Sequence, residues 1–528
     1  MSLIENEKVE NAKNYSNEEI KIIILGAGPT ALGALNRIFK LKKEKLINEN
    51  INVCVIEQEE EIGGLARSVI DENGFCWDLG VHVMGISKYK NFVEAMEECV
   101  TEWEIIPRCA MAEMSHVMKE NKKEEEENLN KINYYIPYPV QNSIPYFPKN
   151  LKLKCLEELN VKEEKEEKKN FLTTKIPEKE ENFDSFSLSL FGETLQKIFV
   201  RPYNEKVWTV PISQMGTSWL QGRVPLIDLS QLKRRCSLPH QKLLIEDEKR
   251  QTAFRYPANC KGIGEMWKRF SERFPSKIFN FGQKVVEINS KTKNIFCLDK
   301  NGNKKKFNYN ILISTIPLTE LEQMIGINNL SKPLKHSTVI LVGIGLFGGK
   351  NDFVKKLSWA YYPRKEILFY RCTIISNFSS ELIPICSSSS SSSSSFSSNL
   401  IKNNNNQFWS ILCEIGQSSD KELPLENDQK NKIFDKIILD LISVGIINKK
   451  ENIWSKWIKC LPFGYPIPTK ERDFILKECH KYLEKLQIYS RGRFGGWKYE
   501  LSNQDVCFQI GIELIDKIFL NIPETLYI

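Results

Sequence analysis

Short apolar runs separated by charged stretches set the rhythm of the chain. Lys21-Ile22-Ile23-Ile24-Leu25 and Asn52-Val53-Cys54-Val55-Ile56 carry runs of the length and character of buried parallel strands. Between them a helical pattern extends to Leu41. Residues 183–235 carry helical spacing, and the apolar run Val506–Leu520 predicts a closing helix. Segments 283–289, 294–299 and 306–314 alternate like strands. Residues 335–347, 357–362, 366–376 and 407–415 predict further strands of an antiparallel sheet. The charged runs 119–132 and 161–182 read as solvated insertions or loops. The run Ser387–Ser395, with Asn403–Asn406, reads as a disordered surface loop.

The first two strands bracket Gly26-Ala27-Gly28-Pro29-Thr30-Ala31 and end at Glu57, giving strand, glycine turn, helix, strand and acid. That is the order of a dinucleotide-binding fingerprint. Gly26 and Gly28 permit a tight turn and close approach of a pyrophosphate, and Pro29 and Thr30 complete the cofactor-binding turn. Ala31 takes the third glycine's place, where a small side chain suffices for helix packing. Glu57 would accept hydrogen bonds from a ribose. Next come Gly63-Gly64-Leu65-Ala66 and Asp78-Leu79-Gly80-Val81-His82, a flavin pattern rather than a nicotinamide one. Gly63, Gly64, Leu65, Asp78 and Gly80 therefore join the cofactor-binding candidates, and FAD is the expected cofactor. Only one such glycine-rich unit is visible, so no separate nicotinamide fingerprint is expected. About 460 residues later, arginines, glycines and aromatics crowd into Ser490–Asp505 just before a helix. This suits a loop packed against an anionic aromatic ligand and capped by a helix N-terminus.

Composition changes this picture little. A chain of 528 residues with 41% hydrophobic and 27% charged residues suggests two or three globular domains. The net charge of +7 is diluted by lysine–glutamate runs, so no nucleic-acid partner is expected. No segment approaches the roughly 18 apolar residues of a membrane span. Met1–Glu19 lacks the apolar core of a secretory signal, so a cytoplasmic location is expected. The 14 cysteines occur without a C-x-x-C pair and the five histidines are dispersed, so neither a metal site nor a disulfide framework is expected.

A set of landmarks runs through the chain in order: Gly26-Ala27-Gly28-Pro29-Thr30, Pro137-Tyr138-Pro139 with Gln141-Asn142, and Arg201-Pro202-Tyr203-Asn204 with Lys206-Val207-Trp208. Phe369-Tyr370-Arg371, Gly464-Tyr465-Pro466 and Gly492-Arg493-Phe494-Gly495 through Asn503-Gln504-Asp505 follow. In this order the motifs resemble the eukaryotic-type UDP-galactopyranose mutases, from about Lys21 to about Ile518. The resemblance implies FAD that acts in its reduced form, NADPH or NADH as reductant, and UDP-galactose as substrate without net redox change. It further implies attack of flavin N5 on the anomeric carbon, departure of UDP, and ring opening and reclosure on a covalent flavin–sugar adduct.

By motif, Arg201 and Arg371 are implied as the pyrophosphate arginines that stabilise the leaving group. His82 is implied as the histidine of a flavin-side loop. Tyr361, Tyr465 and Tyr499 are implied as phosphate-contacting hydroxyls, and Trp359 as a pocket wall. Tyr138, Gln141 and Asn182 match uridine-side positions, and Phe186 stands where the family usually has tryptophan. Arg493, Asn503 and Gln504 are implied beside the sugar and the flavin. The chain departs from the pattern at Val81 for glycine, Phe378 for tyrosine, Asp228 for asparagine and Met118 for arginine. The loop Val83-Met84-Gly85-Ile86-Ser87 also lacks the expected aromatic and second histidine.

These readings predict an α/β protein of three parts. A discontinuous Rossmann-like FAD-binding domain takes 20–100, 250–320 and 456–528. A helical substrate domain with charged insertions takes 101–249, and an antiparallel β-sheet domain with a Ser/Asn-rich insertion takes 321–455. Two alternatives stay open. An amine-oxidase-like FAD oxidoreductase accounts for the glycine motifs, and a non-catalytic UDP-sugar or flavin-binding homologue would suit Val81, Asp228 and Phe378.

Overall fold

The apolar run Ile20–Leu25 is the central strand of a five-stranded parallel sheet. The spatial order is Ile488–Ser490, Ile311–Ser314, Ile20–Leu25, Ile51–Ile56, Phe279–Asn280. Ile22 faces Val53 on one side and Ile311 on the other. Both faces are covered, which is why Ile22 to Leu25 are uniformly apolar and buried. The α/β fold is seen in a computed structural model that describes residues 20–527, except 119–130, 168–180, 221, 328–329, 386–406, 419–426 and 450–451.

Helix Pro29–Lys43 leaves the central strand and packs against the closing helix, Gln504–Leu520. Two glycines bring the backbones together. A Cβ on Gly33 would stand 2.0 Å from the Phe508 carbonyl oxygen, and one on Gly511 would stand 2.1 Å from that of Thr30. The two motif-bearing ends of the chain thus meet, around a core of Leu32, Leu35, Ile38, Phe508, Ile512 and Ile515.

A second sheet has seven strands, in the order Asn452–Pro466, His336–Gly348, Gln407–Gln417, Arg371–Thr373, Trp359–Tyr361, Ala110–Glu113, Tyr135–Pro137. Its pairs are antiparallel except Trp359–Tyr361 with Ala110–Glu113, which is parallel. Two of its strands come from the segment assigned to the helical region, and the boundary expected at 456 falls inside Asn452–Pro466. The edge of Trp359–Tyr361 carries backbone groups that need partners, and Ala110–Glu113 supplies them.

Three local expectations are corrected. Residues 306–314 form two strands in different sheets, Lys304–Asn308 and Ile311–Ser314. The chain turns at Asn310, whose N–H donates to the Lys21 carbonyl at 2.8 Å. Of 366–376 only Arg371–Thr373 joins the ladder, while the Leu368 N–H is taken by Asp440 Oδ2 at 2.8 Å. Residues 161–167 continue the helix Lys149–Glu167 instead of looping out, since lysine and glutamate are good helix formers. Residues 119–130 and 168–180 of the charged runs, and the serine and asparagine tracts, lie outside the described residues. Among the described residues no helix is long and apolar enough to cross a membrane.

Candidate functional site

The glycine turn after the central strand lines a cleft of about 1240 Å³. Gly26, Gly28, Pro29, Thr30, Glu57, Gly64, Leu65 and Gly80 all line it. Gly26 has φ +89, and a Cβ there would stand 2.4 Å from Thr315 Oγ1. A Cβ on Gly64 would stand 3.2 Å from the Gly28 Cα, so the two turns touch backbone to backbone. Gly28 caps the helix Pro29–Lys43 without a side chain, which leaves its first N–H groups to the cleft. Glu57 accepts from the Ala27 N–H at 2.8 Å and the Glu59 N–H at 3.0 Å, one bond per oxygen. Burial pushes the Glu57 carboxyl above its usual range, and those two N–H groups work against the rise.

Gly63 and Asp78 stand behind this wall. The Gly63 N–H donates to the Ala27 carbonyl at 2.8 Å, so this glycine shapes the turn. Asp78 is buried and accepts from Ser68 Oγ at 2.6 Å, Tyr256 OH at 2.6 Å and the Ile263 N–H at 3.1 Å. Its oxygens hold the helix Ile263–Ser271 in place, so Asp78 supports the wall of the cleft without lining it.

The loop Gly80–Ser87, also in the cleft lining, is pinned to the head of the closing helix. Ser87 Oγ donates to Asp505 Oδ2 at 2.8 Å, and Gln504 Nε2 donates to the His82 carbonyl at 3.4 Å. Gln504 Oε1 in turn accepts from Trp267 Nε1 at 2.6 Å. His82 Nε2 lies 3.3 Å from the Leu79 carbonyl. Burial, helped by the positive charges of Arg493 and Arg371, lowers the His82 pKa to about 4, so the ring is neutral at pH 7.

A further part of the wall is built by the seven-stranded sheet. Arg371 and Glu414 both line the cleft and face each other in register on adjacent strands. Burial opposes the Arg371 charge, and the Glu414 carboxylate more than offsets it, so the guanidinium pKa stands well above its usual value. Arg493 donates through Nη2 to the Gly464 carbonyl at 2.6 Å and lies 4.9 Å from the Tyr465 ring centre. Tyr465 and Tyr499 have ring centres 5.7 Å apart, and Tyr499 also packs on Trp208 at 4.8 Å. Asn503 caps the closing helix and accepts from Arg223 Nη1 at 3.2 Å. Tyr138 and Tyr361, with ring centres 4.4 Å apart, form an aromatic layer next to Arg371, into which Tyr203 packs at 5.3 Å from Tyr361. Trp359 extends that layer towards Phe254 at 5.2 Å, and its Nε1 is buried without a protein partner.

Several positions implied for the ligand stand outside the cleft lining here. Arg201 is half-exposed, outside the cleft lining, and donates to Asp184 Oδ1 at 2.8 Å. Asn182 caps the helix Phe183–Leu195 by accepting from the Ser185 N–H at 3.0 Å, a common use of asparagine before a helix. Phe186 is buried against Phe183, with ring centres 6.3 Å apart. Gln141 spends Nε2 on the Pro225 carbonyl at 2.9 Å. Asp228 is exposed and caps the helix Leu229–Cys236, so its charge points into solvent. Phe378 is buried beside Tyr256, and Met118 is half-buried against the helical core.

With this geometry in place, the similarity to known proteins is specific. Residues 44–340 match the model of the flavin containing amine oxidoreductases. The chain belongs to that family. A crystal structure of reduced UDP-galactopyranose mutase matches with a TM-score of 0.75 and 30% identity, over 94% of this chain and 93% of that one. A putative protoporphyrinogen oxidase from Exiguobacterium sp. 255-15 shares the fold at 13% identity and a TM-score of 0.65, over 96% of this chain and 99% of that one. Putrescine oxidase bound to putrescine shares it at 12% identity and a TM-score of 0.53, over 94% and 98%.

For a flavin oxidoreductase family the implied cofactor is FAD, and the residues present fit it. Gly26, Gly28 and Gly64 line the cleft with bare backbone beside the first N–H groups of the helix Pro29–Lys43, which suits a pyrophosphate, and each Glu57 oxygen keeps a further acceptor site for a ribose hydroxyl. Sequence reasoning missed Glu414 and Arg223. An acid at the centre of the apolar strand Gln407–Gln417 requires a buried partner, and that signal was available. Nothing in the local sequence marks Arg223, whose Nη2 also donates to the Glu500 carbonyl at 2.7 Å.

Proposed function

We propose that this flavoprotein is a UDP-galactopyranose mutase, interconverting UDP-galactopyranose and UDP-galactofuranose with reduced FAD and with NADPH or NADH as the source of reduction. The observation that carries the reading is the Arg371–Glu414 pair, which lines the same cleft as the glycine turns, together with Tyr465 and Tyr499. Oxidation of an amine needs no fixed guanidinium there, whereas a nucleotide sugar presents a dianionic pyrophosphate that does. The relative at 30% identity supports the same substrate class.

Reduced FAD, when bound, supplies the nucleophile towards the anomeric carbon. The chain's own groups do the rest. Arg371 holds and stabilises the departing pyrophosphate. Tyr465 and Tyr499 offer hydroxyls to it, and Arg493 and Asn503 border the sugar. Arg201 is the second pyrophosphate arginine and reaches the ligand by leaving Asp184. Neutral His82 holds its loop beside the flavin without adding charge. A cytoplasmic location agrees with the use of a nicotinamide reductant.

The test is an anaerobic assay: reduce the purified protein with dithionite, add UDP-galactofuranose and follow UDP-galactopyranose by chromatography. Conversion by reduced but not oxidised protein supports the mutase. UDP binding without conversion points to a non-catalytic binder and to Val81 in the flavin-side loop. Oxygen consumption with an amine, and no UDP binding, replaces the reading with an oxidase.

A further inference from the structure

Lys206 lies on the helix Arg201–Trp208 and is buried, an unusual place for an ammonium group. Its Nζ donates to the carbonyl oxygens of Phe369 at 2.6 Å, Arg364 at 3.0 Å and Tyr362 at 3.1 Å. Three acceptors match the three protons of an ammonium group. These carbonyls belong to one connection, residues 362–370, which joins Trp359–Tyr361 to Arg371–Thr373. Tyr362 and Phe369 lie on its outgoing and returning arms, so Lys206 draws the arms together from outside the sheet. Tyr361 and Arg371 are directly opposite each other at the end of the strand pair that this connection closes. One helical turn before Lys206, Tyr203 packs on Tyr361, so one helix face grips both the strand pair and its turn.

The other supports of this connection leave a specific job for the lysine. Arg364 Nε donates to Glu113 Oε2 at 2.9 Å, and Tyr370 OH donates to Glu414 Oε2 at 2.6 Å. Those bonds fix the turn to its neighbouring strands. Lys206 alone of these groups comes from the helix that also carries Arg201. We propose that Lys206 is a positioning residue for pyrophosphate binding. It sets the height of Arg371 in the cleft, with Tyr361 behind it, and couples both to the helix bearing Arg201. This rests on the assignment of a UDP-sugar to the cleft.

The test is UDP titration of flavin-loaded protein, using Lys206→Met, Arg371→Ala and the double variant. Lys206→Met keeps the length and removes the donors, and it is expected to weaken UDP binding at least ~10-fold with flavin content and visible spectrum unchanged. If Lys206 acts through Arg371, adding Lys206→Met to Arg371→Ala produces little further loss. A residue that merely stabilises the fold would show additive losses. Wild-type affinity in Lys206→Met, or additive losses in the double variant, overturns the proposal. Failure of the wild-type protein to bind UDP overturns the assignment of the cleft, and the role of Lys206 with it. If Lys206→Met does not accumulate with flavin, Lys206→Gln, a shorter donor, decides by the same titrations and is expected to give an intermediate loss.

Discussion

Arg371 Nη2 stands 2.6 Å from one oxygen of Glu414 and 2.7 Å from the other, with Nε 2.9 Å from the first. Glu414 is buried, and Arg371 has only one side towards the cleft. The pair therefore keeps the guanidinium charged and in one orientation before any ligand arrives, which lowers the ordering needed on binding.

Arg371→Ala is expected to weaken UDP binding and to lower mutase turnover at least ~10²-fold, because leaving-group stabilisation goes with the guanidinium. The variant also strands Glu414, and breaking a buried pair from one side typically destabilises by about 3–5 kcal/mol. Titration calorimetry and turnover are therefore measured on protein of wild-type flavin content. Affinity and turnover both near wild type would mean that the pyrophosphate lies elsewhere in the cleft.

Arg201 leads to a prediction of opposite sign. Its partner Asp184 is part-exposed, and such pairs contribute about 0–1 kcal/mol. If Arg201 must leave Asp184 to meet the ligand, Asp184→Asn releases it in advance. UDP affinity is then expected to rise up to ~5-fold, with no change in flavin content. Unchanged or weaker UDP binding would fix Arg201 as a scaffold residue.

The glycine fingerprint was legible because its requirements are local. A tight turn demands glycine at Gly26, where φ is +89 and a Cβ would strike Thr315, and the strands on either side are mostly apolar. The long-range placement of side chains was less legible. Nothing near Asn182 or Asp228 distinguishes an asparagine or aspartate that meets a ligand from one that caps a helix, since the same short polar side chain does both. Asp78 sits beside a flavin motif, yet Tyr256 and Ser68, distant or unremarked in sequence, take its oxygens. The recruitment of Ala110–Glu113 into the second sheet depended on an edge that only the assembled fold presents.

Gly33→Ala tests the contact that closes the dinucleotide end. Its Cβ would fall 2.0 Å from the Phe508 carbonyl oxygen, a backbone atom that cannot swing aside. The closing helix must retreat, carrying Asn503 and Gln504 away from the cleft. Alanine would raise helix propensity by about 1 kcal/mol at an unobstructed site, so a net loss of thermal stability isolates the clash. The expected outcome is destabilisation by about 1–3 kcal/mol together with loss of bound flavin. A variant as stable and as yellow as wild type would show that the two helices can part without disturbing the cleft.

His82 makes stability depend on pH in a window set by its lowered pKa. Burial, aided by Arg493 and Arg371, takes it from the ordinary value near 6.5 to about 4 in the folded protein. As pH falls below about 6.5 the unfolded chain takes up a proton that the folded protein refuses, so unfolding becomes easier. The stabilising contribution is therefore complete above about 6.5 and disappears progressively as pH falls to about 4. Glu57 and Asp78, whose pKa values burial raises, change stability with the opposite sign, so the His82 effect must be read as a difference. Denaturant midpoints of the wild-type protein and His82→Asn, measured from pH 7.5 to 4.5, are expected to run parallel above about 6.5. Below it the wild type is expected to lose ground, by no more than about 1.4 kcal/mol per pH unit. Parallel curves throughout would mean that the folded protein accepts the proton as readily as the unfolded chain. His82 would then carry a charge beside the flavin at mildly acidic pH.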